Sequence, residues 1–148
     1  MTTKLTITVF ALGLALFVSA PAFAQDCTSP LVGAWRMTSL EVGTEGNLQP
    51  VPYSGQIIFT GSCNVSVQAM NPDANAPATP YTMNSYEAYY GTFTIDEAAK
   101  TFTMTVESSL VRNLIGQSMT RVFEVSGDTL VLTPADPAEG WRVTYERF

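Results

Sequence analysis

Few side chains in this sequence could move a proton or a charge, and they are scattered. Glu41, Glu107, Arg121 and the tyrosines, Tyr90 among them, are the candidates for acid–base work. A glutamate buried beside a tyrosine or an arginine has a shifted pKa and can serve as general acid or base. No nucleophile–base pair and no glycine-rich phosphate loop can be read from the chain. The chain also lacks histidine, which excludes His-based triads, His metal sites and histidine pH switching. Two cysteines without histidine cannot complete a four-ligand structural zinc site, so neither a metal nor a cofactor is expected.

The remaining chemistry is that of Cys27 and Cys63, and it depends on the compartment. Residues 1–24 combine a Lys4-bearing start, an apolar run from Leu5 to Val18 and the small-residue pattern Ala22-Phe23-Ala24. This is the layout of a secretory signal peptide cleaved after Ala24; the alternative, an uncleaved membrane anchor, is disfavoured because the run is short for a span and the cleavage pattern is well formed. The domain is therefore expected over residues 25–148, secreted or periplasmic, with no stable membrane insertion after cleavage. In that oxidising setting Cys27 and Cys63 are expected to form a disulfide. Full-length net charge is −6, and removal of Lys4 with the leader makes it −7. Such a balance argues against nucleic acid as a partner.

The elements that must position these residues read as strands. Apolar and polar residues alternate with period two, and turn residues separate the segments. The expected strands are residues 31–42, 56–60, 64–70, 89–95, 101–108, 117–125, 129–133 and 141–147, with residues 43–53 and 71–80 as loops. One short helical turn is allowed at residues 83–88. Phe102, Met104 and Val106 share one face, against Thr101, Thr103, Thr105 and Glu107 on the other. Eight strands in sequential hairpins favour an all-β, up-and-down antiparallel barrel, which removes both sheet edges; a sandwich is the alternative. At that size the interior holds side chains or one small ligand.

The first strand carries Gly33-Ala34-Trp35, a G-x-W motif near the mature N-terminus. Gly55–Thr60, Val65–Gln68, Glu87–Thr92, Asn113–Gly116, Thr120–Phe123, Gly127–Leu130 and Tyr145–Phe148 follow it in order. In that order they resemble the blocks of the small lipocalin-like domain family, a calycin-type barrel. The resemblance implies that Trp35 plugs the closed end and that Arg147 from the last strand covers it. It also brings the turn holding Cys63 back to the closed end beside Cys27. Met104 stands where relatives often carry a histidine, and Arg112 where many have a proline, so no acid–base role carries over from that histidine.

The resemblance implies a pocket for one small, mostly apolar molecule. Its candidate lining is Met37, Ser39, Tyr89, Phe102, Met104 and Phe123. Tyr81, Tyr86, Tyr89 and Tyr90 surround the segment at residues 81–91. They suit a lid or rim, or else two pack inside and two decorate a loop. Some calycin barrels catalyse isomerisation or cyclisation, which would fall to Glu41, Glu107, Arg121 or Tyr90 here. A barrel filled by its own side chains is the third possibility.

Overall fold

The computed structural model describes residues 26–44 and 46–148. The expected signal peptide over residues 1–24 lies outside the described residues. Nine strands follow one another: β1 (Gly33–Thr44), β2 (Asn47–Val51), β3 (Ser54–Phe59), β4 (Asn64–Met70), β5 (Tyr86–Asp96), β6 (Thr101–Ser109), β7 (Ser118–Ser126), β8 (Thr129–Pro134) and β9 (Trp141–Arg147). From β3 to β9 each strand pairs antiparallel with the next, and β9 closes back onto β1. The result is a closed eight-stranded antiparallel barrel.

The ninth strand corrects the expectation of a loop over residues 43–53. β1 pairs through residues 33–36 with β3 and through residues 40–44 with β2. Strands β2 and β3 thus run along the same edge of β1, interrupted at Pro52-Tyr53. Proline has no N–H to continue a ladder, which accounts for the break. The helical turn allowed at residues 83–88 is also corrected. Asn84 and Ser85 have positive φ (51° and 62°), and Met83 and Tyr86 bond reciprocally across them, so a tight turn launches β5. Asparagine tolerates the left-handed region better than most residues, and that geometry cannot continue as helix. The helical elements among the described residues are two lone 3-10 turns, Arg112–Leu114 and Pro137–Glu139.

One end of the barrel is solid. Phe59, Phe93 and Phe102 meet edge to face with centroids 5.1 to 6.4 Å apart, over Leu31, Phe123 and Leu130. Trp35 is fully buried and donates from Nε1 to the Leu31 carbonyl at 2.8 Å. The Arg147 guanidinium lies 4.0 Å from the Trp35 ring centroid and donates to the Val32 and Pro30 carbonyls. This combines cation–π attraction with two hydrogen bonds to carbonyls of the segment that precedes β1. Cys27 and Cys63 are disulfide-bonded at the same end, with Cα atoms 5.2 Å apart. The bond ties the N-terminal segment to the β3–β4 turn, where Cys27 N–H also donates to the Gly61 carbonyl.

Candidate functional site

Above the phenylalanine layer the barrel is hollow. A cavity of about 580 Å³ extends to the opposite end, where the loop at residues 71–85 and the β8–β9 connection cover it. Its walls follow from strand alternation, which turns every second side chain inward. Phe102 and Met104 of β6, Ile57 of β3, Val67 of β4 and Leu132 of β8 make the lower part apolar.

β1 departs from simple alternation. Met37 pairs with Tyr145, but Ser39 pairs with Thr144, so one extra residue is accommodated at Thr38. Such a bulge shifts the facing set by one residue. Met37 lines the cavity, and above the bulge Leu40 and Val42 line it in place of Ser39.

A polar cluster occupies the upper wall around Arg121 of β7, which is buried. Arg121 donates to Glu139 Oε1 at 2.9 Å, to the Thr120 carbonyl at 3.2 Å and to the Tyr81 hydroxyl at 3.1 Å. Glu139 Oε2 in turn accepts from the Tyr81 hydroxyl at 2.8 Å and from Trp141 Nε1 at 3.2 Å. The guanidinium also lies 5.0 Å from the Trp141 ring centroid and 5.8 Å from that of Tyr81. Burial pushes the Glu139 carboxyl up, but the bonds from Tyr81 and Trp141 and the Arg121 charge outweigh it, leaving the group below its ordinary value. Tyr81 comes from the loop at residues 71–85, so this cluster pins the loop across the mouth.

On another wall, near the open-end start of β5, sits Glu87, opposite Ala69 of β4. Burial pushes its carboxyl up to about 7; the neighbouring Tyr89 hydroxyl and the Arg121 charge pull only partly the other way. The Tyr89 and Tyr145 hydroxyls are pushed well up by burial and by the neighbouring carboxylate. Tyr53 is raised for the same two reasons. Glu87 therefore changes charge near neutral pH inside a largely apolar chamber.

Of the residues singled out from sequence, the structure brings Met37, Tyr89, Phe102, Met104 and Arg121 to the cavity wall. It leaves five elsewhere. Ser39 is displaced by the β1 bulge. Phe123 faces inward but lies below the cavity in the solid end. Glu41 is engaged by Arg142 across β1–β9, with 2.6 Å between Oε2 and NH2. Glu107 stands exposed outside the cavity lining, and Tyr90, on the outer face of β5, is 49% exposed. The tyrosines divide accordingly: Tyr81 and Tyr89 line the cavity, while Tyr86 and Tyr90 are exposed.

Glu87 and Glu139 were not singled out in the sequence. For Glu87 a signal exists, since extending the alternation Phe93, Gly91, Tyr89 back by two positions puts it on the inward face. Glu139 lies in a 3-10 turn and carries no periodic signal.

A family model described as a lipocalin-like domain matches residues 32–144. Among solved structures, the chain is similar to the crystal structure of an uncharacterized protein from Bacteroides eggerthii DSM 20697. Identity is 16% and the TM-score 0.49, over 80% of this chain and 99% of that one. No curated protein matches the chain.

Proposed function

The chain belongs to the lipocalin-like domain family, and from that premise we propose that it binds and carries one small, mostly apolar molecule in the barrel. The observation that carries this reading is the cavity, whose volume of about 580 Å³ falls within the ~300–1,000 Å³ usual for small-molecule sites. Its lining has the composition such sites use, an apolar lower wall with a few convergent polar groups above. The leader-like start and the Cys27–Cys63 bond support a secreted or periplasmic carrier. Native mass spectrometry of the protein isolated from its own host tests the proposal. The expected result is a complex that sheds one small molecule on denaturation. Apo mass throughout, with no uptake of an added apolar dye, would instead point to a barrel without a ligand.

A second reading, an isomerase- or cyclase-type enzyme, is favoured by one observation. Glu87 sits beside Tyr89 in the cavity with its carboxyl raised to about 7, where a group can both give and take a proton. Under this reading the copurified molecule turns over, and Glu87→Gln abolishes turnover while leaving the molecule bound.

A further inference from the structure

We propose that Glu87 is the head-group subsite of the cavity and that the ligand is an apolar molecule ending in a protonated amine. The inference rests on the ligand-binding reading above.

The charged residues lining the cavity are Glu87, Glu139 and Arg121. Arg121 and Glu139 neutralise one another through their 2.9 Å ion pair, which leaves Glu87 as the surplus. A carboxylate in an apolar chamber without an ion-pair partner of its own among the described residues is unfavourable, and an entering cation supplies one.

Four of the five N–H bonds of Arg121 are directed at Glu139, the Thr120 carbonyl, the Tyr81 hydroxyl and the Met119 sulfur. An anionic head group would compete with these acceptors for Arg121, and it would meet Glu87 as a like charge. An ammonium group displaces nothing there.

The groups that share the cavity with Glu87 and act on it electrostatically are Tyr53 ahead of β3, Tyr89 on β5, Arg121 on β7 and Tyr145 on β9. Opposite it, β4 presents only Ala69. Tyrosine hydroxyl oxygens accept hydrogen bonds from an ammonium, and tyrosine rings attract cations. The net charge of −6 favours the approach of a cation from solution.

Calorimetric titration with n-octylamine, 1-octanol and octanoate separates the head groups on one common tail. At pH 8.5, n-octylamine should bind roughly 10- to 100-fold more tightly than 1-octanol, the range of a charge-assisted hydrogen bond, and octanoate most weakly. Because Glu87 ionises near 7 while a primary amine stays protonated, octylamine affinity should rise roughly 30-fold from pH 5.5 to 8.5. Glu87→Gln should remove the preference for the amine, bringing n-octylamine and 1-octanol within about twofold of each other. The wild-type pH profile carries the test if that variant does not fold. Octylamine binding no tighter than 1-octanol, or an affinity that falls with pH, overturns the amine assignment while leaving an apolar ligand site in place. If none of the three probes binds, the ligand-binding reading fails and the amine assignment with it.

Discussion

Holding Glu87 in the ligand-free barrel should make the protein lose stability as the pH rises through neutrality. Its carboxyl moves from 4.5 to about 7 on folding, because burial disfavours the charged form. At 1.36 kcal/mol per pH unit, that is worth about 3 kcal/mol. The folded state holds the proton more tightly than the unfolded state. The stabilisation is therefore fully present below pH 4.5, is lost as the pH rises through about 7, and is flat above. Glu97 and Glu139 are shifted the other way, and their stabilisation is gained on rising through the acid range and complete near 4.5. The window from pH 5 to 8 thus isolates Glu87, and about 2.5 kcal/mol of the loss falls within it. Urea unfolding with the disulfide intact should show the wild-type midpoint falling by about 1–2 M across that window. Glu87→Gln should match wild type at pH 5 and stay flat to pH 8. A flat wild-type profile, or a variant that keeps the slope, refutes the placement of Glu87 as a buried carboxyl.

Other parts of the molecule give equally direct expectations. Tyr81→Phe removes the hydroxyl that donates to Glu139 and accepts from Arg121. It should weaken the hold on residues 71–85 by about 1–2 kcal/mol, read as faster hydrogen exchange at the Asn71 and Thr82 amides with the closed end unchanged. Reducing the Cys27–Cys63 bond, which spans a sequence separation of 36, should lower stability by about 3–4 kcal/mol in urea unfolding. Gly140→Ala places a Cβ against the Gly43 carbonyl oxygen at a φ of 60°. It should destabilise by about 1–3 kcal/mol in thermal unfolding and disrupt the Gly43–Gly140 hydrogen bond.

The solid end of the barrel was legible because its signals are local. The G-x-W residues mark Trp35, the alternation of the last strand delivers Arg147, and the two cysteines have only each other to pair with. The hollow end was legible only in part. Period two tells which face a side chain takes, not how far along the barrel axis it lies. It therefore turned Phe123 inward correctly, yet could not say that Phe123 packs beneath the cavity while Phe102 forms its floor. The extra residue at Thr38 leaves no periodic trace, because a bulge is fixed by cross-strand pairing, and that one residue exchanges Ser39 for Leu40. Glu87 lay two positions ahead of the strand as read, where the apolar pattern fades because the inward residue is itself charged. Glu139 reaches Arg121 through a connection of irregular backbone, and such a contact exists only once the barrel has closed.

The central claim, that the barrel carries a ligand in its hollow half, is tested most directly by filling that half. Ala69 is buried on the cavity wall, and Ala69→Phe would occupy space now open to a guest. Titration with the apolar dye N-phenyl-1-naphthylamine should show uptake of one molecule per wild-type barrel. In a folded Ala69→Phe variant with its disulfide intact, affinity should fall at least roughly tenfold, about 1.4 kcal/mol or more. Equal uptake by both proteins would place the dye outside the cavity, and no uptake by the wild type would contradict the claim outright.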